Sequence, residues 1–192
     1  MARTVHLLLV LAALAGCSAT RGSASHVAGG TAPDADARRV ERLERIGSDL
    51  AGSAPTDEHV DIALSTRDAL GAWSWPDGRI RVSRALVDAL DDDELRAAVA
   101  HEMGHLLDAG AVADRATALA GAIDGRPHSA ADIETRADAF ACGLLRARGA
   151  SVAALPRMLR AVASRASGDD TIDPARLLAR ARVTERRCAA SP

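Results

Sequence analysis

The chain has 192 residues, a formal net charge of −2, one Phe, two Trp and no Tyr. That length suits one domain with a real core. The near-neutral balance gives no argument for nucleic acid or a highly charged partner, and small side chains in place of aromatics favour closely packed helices.

Met1-Ala2-Arg3-Thr4 is a short basic start, and the apolar run from Val5 to Ala15 is too short to span a bilayer. Together they read as a secretory signal peptide over residues 1–16. The run closes on Leu14-Ala15-Gly16-Cys17, the form of a bacterial lipobox, so Cys17 is expected to be the first mature residue and to carry lipid. Several acyl chains on one residue hold a protein stably on a membrane. No other run is long enough to span. The expected location is therefore outside the cytoplasm, on the outer membrane facing the periplasm. Residues 17–37, rich in Ser, Ala, Gly and Thr, read as a flexible tether, and 38–192 as the single domain. In an oxidising compartment the two remaining cysteines, Cys142 and Cys188, are expected to form a disulfide.

From about Ala37, Val40, Leu43, Ile46 and Leu50 repeat at helical spacing. Val60, Ile62 and Leu64 alternate as a strand. A second short strand spans Ala69 to Trp75, and a third follows the Pro76-Asp77-Gly78 turn at Arg79 to Ser83. Arg84 to Leu90 is a short helix. Next comes the helix of Asp92 to Asp108, with Asp92 or Asp93 as its cap and Leu95, Val99, Met103 and Leu106 as its buried stripe. The Ala-rich stretch to about Ala122 either extends this helix or forms a new one. Ala131 to Arg148 is a helix capped by Gly149. Val152 to Ser164 is another, and Pro174 opens the last, anchored by Leu177, Leu178 and Val183. The pattern predicts a mostly helical α+β domain with a small antiparallel or mixed sheet packed on the Asp92–Asp108 helix.

That helix carries His101-Glu102-Met103-Gly104-His105. Residues four apart share a helix face, so both imidazoles can point at one ion. Glu102 sits about 100° round the helix, within reach of a water on that ion. This is the H-E-x-x-H arrangement of a zinc hydrolase, and it implies one Zn²⁺ per chain. A catalytic zinc takes three protein ligands and keeps one open position. Asp108 and Ala111 exclude the longer pattern in which Gly and a third His follow. The best third ligand is Glu134, with Asp138 one turn later placed to hold a ligand imidazole. His128, Asp132 and Asp108 are its rivals.

The run Ser74-Trp75-Pro76-Asp77-Gly78-Arg79-Ile80-Arg81-Val82-Ser83, then Glu94-Leu95, then His-Glu-Met-Gly-His, then Glu134-Thr-Arg-Ala-Asp138, resembles the metallopeptidase family of the CAAX prenyl endopeptidases and HtpX-type proteases. It is similar in particular to the soluble periplasmic lipoprotein members. The resemblance covers roughly Val60 to Gly149, and three separated motifs in one order are more specific than one. It implies a gluzincin fold, endopeptidase activity on unfolded or extended polypeptides, His101, His105 and Glu134 as zinc ligands, and Glu102 as general base. It also implies that the strand before the motif helix pairs with substrate, here Arg79, Ile80, Arg81 and Val82, or else Ala72 to Trp75. One departure stands out. Family members often carry His-Pro near the C-terminal region, where the His helps stabilise the oxyanion; here Asp173 precedes Pro174. Arg176, Arg180 and His128 are the candidates to take over that role or to contact substrate. The missing donor keeps open a second function, a metal-stabilised, catalytically weak binding or assembly factor for outer-membrane proteins.

Overall fold

A computed structural model describes residues 32–51, 60–118, 130–166 and 172–190. The expected signal peptide, Cys17, the tether as far as residue 31, and His128 lie outside the described residues. So do the expected loops at 52–55, 124–127 and 168–170 and the side chain of Asp108.

Helix α1 (Ala32–Ala51) already begins at Ala32, so residues 32–37, read as tether, are its first turns. Asp34 lies in the first turn, where a negative charge suits the helix dipole. Asp36 pairs with Arg39 at 2.9 Å and with Arg84 at 2.7 Å, which holds this end against the body of the domain. Leu43, Ile46 and Leu50 are buried. Val40 is 38% exposed, because this end of α1 meets its neighbour through ion pairs, Arg39–Asp88 among them, and not through an apolar face.

Strands β1 (Asp61–Ser65), β2 (Ala72–Ser74) and β3 (Arg79–Ser83) form a mixed sheet in the order β1-β3-β2. β1 runs parallel to β3, with Asp61 opposite Arg79 and Ser65 opposite Ser83. β2 runs antiparallel to it, with Ala72 opposite Val82 and Ser74 opposite Ile80. The turn between β2 and β3 is closed by Gly78 N–H donating to the Trp75 carbonyl at 3.0 Å and by Trp75 N–H donating to the Arg79 carbonyl at 2.9 Å. Alternation along β3 sends Ile80 and Val82 into the core and Arg81 to the other face, where it pairs with Asp61 at 2.7 Å. β3 is thus the central strand, paired on both sides. The expectation that Arg79 to Val82 would pair with substrate is corrected for that reason: the backbone groups a substrate would need are already engaged. β2 is the edge of the sheet.

Ser83 caps α2 (Arg84–Ala89) by accepting from Leu86 N–H at 3.1 Å. The cap of α3 (Asp92–Ala118) is Asp91, one residue before the positions expected. Asp91 Oδ1 accepts from Glu94 N–H at 2.8 Å and Glu94 Oε2 accepts from Asp91 N–H at 3.2 Å, a reciprocal capping box. The Ala-rich stretch extends α3 as far as Ala118. Leu95, Val99, Met103 and Leu106 are buried as predicted, and α3 packs on α4 (Ala130–Ala147), α5 (Ala154–Arg165) and the sheet.

Gly149, at φ 65°, ends α4 in the left-handed conformation. Ala150 N–H donates to the Leu145 carbonyl and Gly149 N–H to that of Arg146, which satisfies the last turn. α5 buries Leu155, Met158 and Leu159. In α6 (Pro174–Ala190) the expected anchor Leu177 packs against the core, but the other two do not. Leu178 and Val183 are exposed, and the buried residues are Ala181, Thr184 and Cys188. The cause is where α6 lies: it packs chiefly on α5 and also meets α4, where Arg180, Thr184 and Cys188 engage Glu134, Asp138 and Cys142.

Candidate metal centre

His101 and His105 rise one turn apart from α3, with ring centroids 4.6 Å apart and planes at 82°. Their Nε2 atoms stand 3.0 Å from each other. The carboxylate of Glu134, on α4, spans both: Oε2 is 3.4 Å from His101 Nε2 and Oε1 is 3.5 Å from His105 Nε2. Glu102 offers a carboxylate oxygen to the same point, and its donor atom and those of both imidazoles all lie within 4.8 Å of one another. Of the rivals for the third ligand, Asp132 is exposed on α4.

Gly104 permits this meeting. A Cβ there would stand 2.8 Å from Ala137 Cα and 2.9 Å from its carbonyl oxygen, closer than real Cβ atoms come. The two helices touch backbone to backbone at this point, and the touch brings Glu134 to the imidazoles.

A second set of contacts lies behind the first. Asp138 Oδ1 is 3.1 Å from His101 Nδ1, the position that fixes the ring's orientation and tautomer. Arg180, on α6, donates to Asp138 from Nε at 2.8 Å and from Nη2 at 2.5 Å. Its Nη1 donates to Glu134 Oε2, and Nη2 also lies 3.1 Å from both ring nitrogens of His101. Thr184 Oγ1 donates to Asp138 Oδ2 at 2.8 Å. One turn further on, Cys142 and Cys188 are joined in a disulfide with their Cα atoms 5.6 Å apart. Glu134–Arg180, Asp138–Thr184 and Cys142–Cys188 are each 46 residues apart. A constant separation means that α4 and α6 run in the same direction, with one rung at each turn.

The role expected for Arg180 therefore changes. Its guanidinium is engaged by two carboxylates, which makes it a support for the ligands and not a donor to an oxyanion. Arg176 is exposed in the first turn of α6. Asp173 accepts from the backbone N–H groups of Ala175 at 2.9 Å and Arg176 at 3.2 Å, so the residue in the place of the family's His serves as the cap of α6. Ser74 and Thr184 were not singled out by sequence. Thr184 was within reach: it stands one turn before Cys188 as Asp138 stands one turn before Cys142. Ser74, on β2, donates to Glu102 Oε2 at 2.8 Å, and nothing in its local sequence signals that contact.

The charges are tightly coupled. Burial alone would lower the pKa of His101, but the carboxylates of Asp138 and Glu134 outweigh burial and raise it to about 9. Burial likewise opposes ionisation of Glu134, yet His101, Arg180 and His105 hold it down to about 2. Asp138 lies below the usual carboxylate range: burial is overcome by Arg180 and His101. His105 is lowered by burial and by the neighbouring His101.

A H-E-x-x-H helix, a carboxylate from the next helix and an edge strand beside the glutamate define a zincin-like metallopeptidase domain. Residues 37–120 match the model of Peptidase family M48, and over that stretch the chain is similar to that family. The matched segment contains His101, Glu102 and His105 and ends before α4, so Glu134, Asp138 and Arg180 are placed by the geometry above. No curated protein matches the chain.

Proposed function

We propose that this metallopeptidase is a zinc-dependent endopeptidase, anchored to a membrane through lipid on Cys17, that cuts extended segments of misfolded or misassembled envelope proteins. The observation that carries the reading is the convergence of His101 Nε2, His105 Nε2 and the Glu134 carboxylate at 3.0–3.5 Å from one another. Ligands about 2.0–2.2 Å from a tetrahedral zinc lie roughly 3.3–3.5 Å apart, so the three donors fit one such ion. Two imidazoles and one carboxylate are also a donor set typical of catalytic zinc.

A zinc ion held by these three residues supplies the electrophile, lowering the pKa of a bound water and polarising the scissile carbonyl. Glu102 takes the proton of the attacking water and later delivers it to the leaving amine. Asp138 keeps His101 Nε2 aimed at the ion by accepting from Nδ1. Arg180 neutralises the carboxylates of Glu134 and Asp138 so that both stay ionised. Substrate backbone binds to the outer edge of β2. Ser83 N–H donates to the Gly71 carbonyl and Trp75 N–H to that of Arg79, so Gly71 and Trp75 face β3. By the alternation of an antiparallel ladder, Ala72 and Ser74 turn their backbone groups outward. Strand addition there gives affinity with loose side-chain selectivity, as suits unfolded chains.

No described helix is long and apolar enough to cross a membrane; what supports the anchor is the Leu14-Ala15-Gly16-Cys17 lipobox. Cys17→Ser should release the mature protein from membranes, and a variant still wholly in the membrane fraction would refute lipidation. For the activity, the zinc-loaded protein is incubated with a permanently unfolded protein and the new termini are mapped. Internal cuts abolished by chelation and restored by zinc are expected. An intact substrate, or trimming from the ends alone, contradicts the reading.

A further inference from the structure

Ser74 sits on the edge strand, where neighbouring side chains point to opposite faces. Trp73 and Trp75 lie on the face away from α3, each beneath a guanidinium: Arg67 is 5.0 Å from the Trp73 ring and Arg79 is 5.5 Å from the Trp75 ring. Ser74 faces α3, and its hydroxyl reaches Glu102 Oε2 at 2.8 Å. The hydroxyl donates on this bond and the carboxylate oxygen accepts. Glu102 thereby has one oxygen tied to the sheet and the other left for the point where His101 and His105 converge. The same residue turns its backbone N–H and carbonyl to the free edge of β2.

We propose that Ser74 is a positioning residue that sets Glu102 against the substrate. Its hydroxyl locks the rotamer of the general base and its backbone sets the register of the bound strand, so base and scissile bond are referred to one Cα. This rests on the endopeptidase reading and names a determinant of the proton-transfer step within it. A side chain that only filled space would affect folding or substrate affinity; one that orients the base affects turnover.

The test uses an internally quenched peptide that the wild type cuts. Ser74→Ala is expected to lower kcat about tenfold, the size of effect of one positioning contact on a general base, with KM within about twofold and zinc stoichiometric. Ser74→Thr keeps the hydroxyl and should recover kcat to within about threefold of wild type. A readout free of metal and turnover comes from thermal midpoints of the chelated wild type, Ser74→Ala, Glu102→Ala and the double variant. The shift caused by Ser74→Ala should vanish in the Glu102→Ala background. Full kcat in Ser74→Ala, a change confined to KM, failure of Ser74→Thr to rescue, or additive midpoints would each overturn the proposal while wild-type cleavage stands. A wild type that binds zinc and cuts nothing overturns the endopeptidase reading, and this proposal with it.

Discussion

Arg180 grips Asp138 through both carboxylate oxygens, at 2.8 Å and 2.5 Å, and donates to Glu134 with its remaining nitrogen. One cation from the last helix thus supports the carboxylate proposed as a metal ligand and the carboxylate beside His101, the imidazole proposed as another. Arg180→Leu would leave two largely buried carboxylates without that partner. It should lower the stability of the metal-free protein by about 3–5 kcal/mol, the range for removing one partner of a buried ion pair. The loss should be smaller with zinc bound, since the ion supplies positive charge at the same place. Denaturant unfolding with and without chelator measures both, and equal losses would contradict this role.

Proton and metal compete for His101. In the metal-free protein its pKa is raised from 6.5 to about 9. The imidazolium's contribution to stability is therefore fully present below 6.5 and is lost as pH rises through 9. His105, Glu134 and Asp138 are shifted down, away from that interval, and Arg180 up. The thermal midpoint of the chelated protein should fall from pH 6.5 to 9, and zinc uptake at pH 7 should release about one proton from His101. A flat profile with no proton release would refute the coupling.

Gly104→Ala should act on the metal through the backbone. The added methyl meets Ala137 Cα at 2.8 Å and its carbonyl at 2.9 Å, neither of which is the yielding end of a side chain. Overpacking of this kind costs about 1–3 kcal/mol. The larger consequence is that α4 must withdraw and carry Glu134 away from the imidazoles. Zinc affinity is expected to drop about tenfold or more, the scale set by misplaced ligand support, as read by competition with a chromophoric chelator.

The Cys142–Cys188 disulfide closes a loop of 46 residues at the end of the ladder. Loop-closure entropy puts its contribution near about 4 kcal/mol. Reductant and the Cys142→Ser, Cys188→Ser double variant should lower the thermal midpoint by similar amounts. If reductant destabilises the serine variant as well, its effect does not come from this bond.

Local chemistry made most of this legible in the sequence. Turn residues and two-residue alternation gave the three strands, and helical spacing gave the buried stripe of α3 and the one-face pairing of His101 with His105. The errors came where partners decide. The apolar look of Leu178 and Val183 misled because α5 and α4 together decide which face of α6 is buried, and its own periodicity does not announce them. Arg79 to Val82 has the better strand pattern, but strand order makes it central and leaves the shorter β2 at the edge. Arg180 was visible as a cation near the site. Its true partners needed the parallel arrangement of α4 and α6, which the equal spacing of Arg180, Thr184 and Cys188 to Glu134, Asp138 and Cys142 encodes in plain view.

The central claim is that three residues hold a zinc ion beside one glutamate that moves the proton. Glu102→Gln tests it most directly, with bound zinc counted and cleavage of an unfolded protein followed in the same samples. The account predicts one zinc per chain in both wild type and variant, with rapid cleavage by the wild type and a loss of at least about a hundredfold in the variant. Equal cleavage by the two, or a wild type that takes up no zinc at neutral pH, would contradict it.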